Sequence, residues 1–256
     1  MSALDLTGKV AIVTGAGRRA GLGEGMARRL AAEGCRVILC DLGATAGELF
    51  PAHGVGTTEE LEAVAAGIRE ETGAEVRTHA CDVRSEAHVR ALVEAATSSF
   101  GGVDVLVNNA GIGYLMELVT ELDEERWDAV LDVNLKGMFL CTKHAARQMI
   151  AQGRGGVIFN LSSIHATLSE PNAGPYTAAK GGVEAFSRTM ATELAPWRIR
   201  VNCLAPGATY SELTTPMYTD AVKAALFQRV PMKEIAQPEW IAAGAVFLAA
   251  DDSRYM

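Results

Sequence analysis

Six short apolar runs alternate with helical stretches from one end of this chain to the other, and that alternation limits the fold more than any other feature. The first run, Val10-Ala-Ile-Val-Thr14, is apolar up to its last residue and rich in β-branched side chains. A strand with one wet face alternates apolar and polar residues, whereas a continuous run of this kind is buried on both faces. Runs at Arg36–Cys40, Ala74–Ala80, Val103–Val107, Gly156–Leu161 and Ile199–Leu204 follow it. Between them lie amphipathic helical patterns. One is capped by Ser85 and carries Val89, Leu92, Val93 and Ala96 on a single face. Strands that alternate with helices build βαβ units, whose crossovers make neighbouring strands parallel. The expected fold is α/β: one doubly wound parallel sheet with helices on both faces. No repeat or linker divides residues 1–256, so a single domain is expected.

The turn after the first run holds Gly15, Gly17, Gly21 and Gly23, and a helical stretch over 24–33 follows. A strand, a glycine loop and a helix start make a phosphate cradle. Glycines let backbone approach a pyrophosphate, and the helix N-terminus, here at Gly21-Leu22-Gly23, offers amide donors and positive potential. The second run ends in Asp41, 18 residues after Gly23. That spacing is near the ~20 expected of a carboxylate that binds an adenosine ribose. The unit reads as a dinucleotide site.

Farther along, Tyr176 and Lys180 stand four apart at the start of an Ala-rich helical run, so both face one side. A cation beside a phenol favours the phenolate, which makes tyrosine a usable acid/base near neutrality. Ser163, just past the fifth run, can offer a hydroxyl to the same substrate oxygen. The chemistry implied is proton transfer at an alcohol or carbonyl oxygen. A Tyr followed by such a Lys arises by chance in roughly a quarter of chains of this size. The pair therefore gains its meaning from the dinucleotide site upstream.

Composition excludes several classes. A net charge of −8 opposes nucleic acid or an anionic membrane as partner. The five cysteines are scattered, with no CxxC, which suits buried thiols rather than zinc or disulfides. No signal peptide is read at the N-terminus and no apolar run is long enough to span a membrane, so a cytoplasmic location is expected.

Three stretches break the regular pattern. Residues 42–58 are glycine-rich, with Pro51, and read as an irregular loop that ends in a Thr57/Thr58 cap and a helix to about Thr72. A long helix is expected over 123–152, although Asn134 inside it competes for backbone bonds. Residues 209–230 read as a mobile loop with a short helix over a site, and a last helix starts at Pro238.

Taken in order, these motifs resemble the short-chain dehydrogenases/reductases over nearly the whole chain. Thr14-Gly15…Gly21-Leu22-Gly23 is similar to that family's cofactor loop, and Asn108-Asn109-Ala110-Gly111 to its sheet-stabilising, adenosine-side motif. Asn134, Ser163, Tyr176 and Lys180 match its catalytic tetrad in order and approximate spacing, and Pro206-Gly207 matches the turn under the nicotinamide. The resemblance implies a Rossmann fold and hydride transfer between a nicotinamide cofactor and a secondary alcohol or ketone. Tyr176 would be the general acid/base. Lys180 would lower its pKa and hold the nicotinamide ribose. Ser163 would bind the reacting oxygen, and Asn134 would hold a water that links Lys180 to solvent. Asp82 would bond the adenine amino group with Val83 on the ring, and Thr209 would join the nicotinamide side; a plain helix-capping role remains open for Asp82. A homotetramer built through the helices near 127–152 and 177–194 is also implied.

Asp41 favours NAD, because a carboxylate repels the 2′-phosphate of NADP. Arg18 and Arg19 pull the other way, since an arginine here can pair with a phosphate. An NADPH-dependent carbonyl reductase, such as a 3-oxoacyl reductase, is therefore the alternative enzyme, and a dinucleotide-binding sensor or scaffold is the alternative of another class. The chain departs from the family in three places. Five residues separate Gly15 and Gly21 where the family has three. The 42–58 segment is an insertion, taken to cover the adenosine half of the cofactor. The family's further strand and glycine-rich tail do not follow Met256, which would leave a sheet edge exposed. His165 is a candidate for the substrate site. Ser162 is the weaker alternative to Ser163, and Ser211 stands where the family often has a Thr facing the nicotinamide amide. Tyr114, Met116, Met217 and Tyr218 are apolar candidates for the pocket wall, in or beside the substrate loop 207–232.

Overall fold

The computed structural model describes residues 4–43, 56–113, 117–168, 170–211 and 214–256. Six strands form one parallel sheet: β1 (Val10–Thr14), β2 (Arg36–Asp41), β3 (Val76–Ala80), β4 (Val105–Asn108), β5 (Gly156–Leu161) and β6 (Ile199–Leu204), in the order β3-β2-β1-β4-β5-β6. The helices are α1 (Leu22–Ala32), α2 (Thr58–Thr72), α3 (Glu86–Phe100), α4 (Glu124–Leu131), α5 (Met138–Gln152), α6 (Gly174–Leu194), α7 (Asp220–Arg229) and α8 (Pro238–Ala249).

The alternation along β1 explains the two layers. Ala11 and Val13 join a core with α1, α2 and α8, while Val10 and Ile12 join a second core with α3, α5 and α6. All of β1 is buried, so its apolar side chains have no polar face to offer. Full burial of a Val or Ile contributes roughly 1.5–3 kcal/mol, which makes both faces binding on the strand's register. Beside the cores, a polar ladder runs across the sheet. Asn108 Nδ2 donates to Asn160 Oδ1 (2.8 Å) and to Thr142 Oγ1 (3.1 Å), and Asn160 Nδ2 donates to Ser187 Oγ (2.7 Å). Asn108 and Asn160 are register partners of β4 and β5, so the ladder ties that pair to α5 and α6.

The long helix expected over 123–152 is interrupted. Residues Asp132–Gly137 form a π turn between α4 and α5, and Asn134 sits within it. The fourth strand begins at Val105 rather than Val103, because Asp104 turns inward to accept the Val10 amide at 2.9 Å. The third begins at Val76 rather than Ala74. The helix that carries Lys180 starts at Gly174 rather than Thr177, with Pro175 in its first turn, where a missing N–H removes no bond. Thr57 caps α2 with a capping box to Glu60. The strand β6 lies at one edge of the sheet. Among the described residues, no helix is long and apolar enough to cross a membrane.

Candidate active site

A cavity of about 520 Å3 opens at the carboxyl ends of the strands. It lies beside the β1/β4 junction, where the chain switches from winding on one face to winding on the other. Every residue expected to hold cofactor or carry chemistry lines it, except Asn134.

The glycine loop forms one wall. Gly15 has φ +65°, and a Cβ there would stand 2.6 Å from Ala110 Cα. A Cβ on Gly23 would stand 2.3 Å from the Gly15 carbonyl oxygen. These two positions admit glycine alone, and they bring the β1 loop, the β4 loop and α1 into backbone contact. The Asn109 side chain locks the arrangement, donating to the carbonyls of Thr14 (2.9 Å) and Gly15 (2.8 Å). Among the described residues, Gly21 caps α1 with no side-chain hydrogen bond to the helix start.

The opposite end of the glycine loop is built by the tips of β2 and β3. Asp41 Oδ2 accepts from the Gly17 amide and Oδ1 from the Leu42 amide, both at 2.8 Å. Burial pushes its carboxyl up, against those amides and the positive charge of Arg18. The Gly56 amide donates to the same carboxylate as well. Asp82 is engaged differently from the expectation. Its carboxylate is gripped by Arg84, with Nη2 at 2.7 Å and Nε at 2.9 Å. Desolvation raises its pKa, but the guanidinium outweighs this and holds it below the ordinary value. Asp82 is thus half of a fixed charge pair at the pocket rim, and it also accepts the Arg84 amide, a local capping bond. Val83 is buried against Gly137, where a Cβ would come within 2.6 Å of its methyl carbon.

At the other end, Ser163, Tyr176 and Lys180 converge. Ser163 is buried after β5, and its Oγ accepts the His165 amide at 3.2 Å. Lys180 is buried with Nζ donating to the Leu161 carbonyl at 2.6 Å and lying 5.6 Å from the Tyr176 ring centre. Desolvation lowers its pKa to about 8. Ser162 also lines the cavity, but its hydroxyl donates to Glu184 at 3.0 Å. Pro206, Gly207 and Thr209 close the far wall. Thr209 is buried, and its carbonyl accepts from the Thr214 and Tyr218 hydroxyls.

Asn134 does not face the cavity. Its amide donates to the Ile112 carbonyl (2.7 Å) and accepts the Ile112 amide (2.8 Å). Met217, Tyr218 and Ser211 line the cavity as well. Among the described residues of 209–230 stand a 3-10 turn, Thr215–Met217, and the expected short helix, α7, and a bridge from Thr209 to Ala236 closes the base. Tyr114, Met116 and the body of the insertion, 44–55, lie outside the described residues. The insertion's two ends meet in a Gly43–Thr57 bridge.

Three participants were not singled out from sequence. Arg84 could have been found from its spacing to Asp82, and Glu184 from its place one turn beyond Lys180. The ion pair of Arg229 with Glu170 (3.7 Å), across the cavity mouth, had no local signal.

A doubly wound sheet with a glycine loop, a carboxylate at the end of β2 and a Ser/Tyr/Lys cluster in one cleft defines a nicotinamide-dependent oxidoreductase class. Comparison with known proteins agrees. The family profile described as Enoyl-(Acyl carrier protein) reductase matches residues 15–256. Among characterised relatives, 3beta-hydroxysteroid dehydrogenase 1 of Eggerthella lenta is 37% identical over 98% of this chain and 90% of its own. Glucose 1-dehydrogenase 2 of Bacillus subtilis is 32% identical over 98% and 92%. The crystal structure of carveol dehydrogenase from Mycobacterium avium in complex with NAD superposes with a TM-score of 0.88, at 30% identity, over 98% of this chain and 94% of that one. The chain belongs to the short-chain dehydrogenase/reductase family.

Proposed function

We propose that this protein is an NAD-dependent oxidoreductase that acts on a secondary alcohol or its ketone, with Asn134, Ser163, Tyr176 and Lys180 as its catalytic set. One observation carries the reading: Ser163, Tyr176 and Lys180 share a cavity wall at one end of the cleft that Asp41 and the glycine loop begin. The pyrophosphate would rest on Gly15, Gly21, Leu22 and Gly23. The adenosine would lie among Asp41, Asp82, Val83, Asn109, Ala110 and Gly111, and the nicotinamide by Pro206, Gly207 and Thr209. Its ribose would be held by Tyr176 and Lys180. When bound, the nicotinamide supplies the hydride acceptor or donor.

The protein's share is proton handling. Ser163 Oγ already accepts the His165 amide, so its own proton is available to the substrate oxygen. Tyr176 takes the alcohol proton during oxidation and returns it during reduction. The Lys180 cation, fixed on the Leu161 carbonyl, stabilises the phenolate. Asn134 keeps one lone pair on Oδ1 beyond its Ile112 bond, enough to hold the proposed water relay from Lys180.

Two observations bear on the cofactor. Asp41 places a desolvated carboxylate where a 2′-phosphate would go, which supports NAD. The NAD complex of the carveol dehydrogenase relative supports the same choice. Arg18 also lines the cavity and favours the NADPH reading, the second function worth testing. The deciding experiment is a screen of polyols, sugars, hydroxysteroids, terpenols and hydroxyacyl thioesters with both cofactors. Oxidation of an alcohol with higher kcat/KM for NAD is expected. A strong NADP preference would overturn the Asp41 argument, and no turnover despite tight NAD binding would overturn the enzyme reading. We further propose a homotetramer as the assembly.

A further inference from the structure

The turn that fixes Ser163 also fixes a group to which the proposed chemistry gives no task. Residues Ile164–Ala166 make one 3-10 turn, and the Ser163 hydroxyl caps it by accepting the His165 amide. The serine and the imidazole are therefore positioned as a unit. The His165 ring lies edge-on to Tyr176, with ring centres 6.5 Å apart and planes at 67°, and it lines the cavity. Among the described residues, neither ring nitrogen has a hydrogen-bond partner. Nδ1 is fully covered. Nε2 is not covered, so it opens to the cavity. A covered N–H without an acceptor costs more than a covered lone pair shared with packed carbon, so the neutral ring carries its proton on Nε2. The result is a donor aimed into the substrate space beside the reacting oxygen's two binders. The rest of the lining mixes apolar side chains, Ile112, Leu168, Met217, Leu226 and Val230, with polar ones, Ser211, Thr214 and the Arg229–Glu170 pair.

We propose that His165 is a specificity-determining residue whose Nε2–H binds a second oxygen of the substrate. That substrate would be a secondary alcohol carrying an acceptor oxygen one or two carbons from the carbinol. Vicinal diols, α-hydroxyketones and β-hydroxy esters or thioesters share this pattern. The inference rests on the oxidoreductase reading above.

The test compares matched substrates: cyclohexanol against its vicinal diol, and the ethyl ester of β-hydroxyhexanoic acid against the plain alkanol of equal chain length. Each is assayed with NAD in the wild type, His165→Phe and His165→Gln. Phe keeps the ring and its edge contact with Tyr176 but removes the donor. Gln places an amide nitrogen near the position of Nε2. The kcat/KM preference for the oxygenated member of each pair is expected to fall by about tenfold in His165→Phe, the scale of one neutral hydrogen bond, and to recover in part in His165→Gln. The loss should appear mainly in KM, and NAD affinity, read by fluorescence titration, should stay constant. An active wild type whose preference is unchanged in His165→Phe overturns this inference alone. A wild type that binds NAD but oxidises none of the four alcohols overturns the oxidoreductase reading and this inference with it.

Discussion

Lys180 shows how one residue serves the site at the expense of the fold. Its ammonium is buried and titrates at about 8 rather than 10.5. Below about 8 both folded and unfolded chains hold the proton, and the fold carries the whole desolvation penalty. Between 8 and 10.5 the unfolded chain binds more protons, so stability rises with pH across that window. A shift of this size corresponds to about 3 kcal/mol. Lys180→Met removes the charge but leaves the Leu161 carbonyl without its donor. The net expectation is a gain of about 1–2 kcal/mol at pH 7. Urea denaturation reads it, and an unchanged or lower midpoint would refute the penalty. Turnover should collapse in the same variant. Tyr176→Phe isolates the proton transfer: kcat should drop by at least about 10²-fold, within the range assigned to a general acid/base, with NAD affinity retained. Retained activity would remove Tyr176 from the mechanism. Both side chains were legible in the sequence because their spacing is a helix turn. The Lys180–Leu161 bond was not, since it joins residues 19 apart through the tertiary fold.

Among the elements, the π turn at Asp132–Gly137 is the feature that periodicity could not reach. A π turn keeps the backbone helical through its extra residue, so residues 123–152 read as one helix. The trace it left was Asn134, a residue ill-suited to a helix interior. The structure gives that anomaly a cause, because the amide replaces a partner strand for Ile112 by bonding both its N–H and its C=O. Asn134→Ala should therefore leave two backbone groups unpaired and destabilise the protein by about 2 kcal/mol. Chemical denaturation with an unchanged m-value would measure it, and a loss below a few tenths would mean that the loop finds other partners. Strands β1 and β5 have the limits the sequence suggests because they are buried runs next to glycines, and β6 does because Pro206 follows it closely. The start of β4 was misjudged because Asp104 is a buried carboxylate held by the Arg154 guanidinium and the Val10 amide, a long-range bond with no local signature. The Asp82–Arg84 pair has no firm signature in the sequence either. Its partner Arg84 stands two residues on, and only the turn geometry decides whether the pair closes.

At the scale of the whole molecule, the question is what the sheet and its helices leave uncovered. Two apolar patches stand on separate elements. Trp127 and Phe139, 36% and 42% exposed, lie on α4 and α5, and Phe139 packs edge-on against Phe186 of α6. Trp240 and Phe247, 52% and 39% exposed, lie two turns apart on α8. One patch would suit a two-fold dimer. Two patches on distinct helices allow two different two-fold contacts, and combining them gives the closed tetramer proposed above. The first coincides with the helices named from sequence, whereas the α8 patch emerges only once its other face is seen to be buried on α1 and the sheet. Phe139→Glu places a charge at the first contact and should convert tetramers to dimers, while Trp240→Glu should do the same through the other contact. Light scattering at fixed concentration would follow both. The double variant should be monomeric, with its circular dichroism unchanged, because neither side chain is part of the cores. A wild type that scatters as a monomer would refute the assembly. Dimers that survive both changes together would place the contact on some other surface.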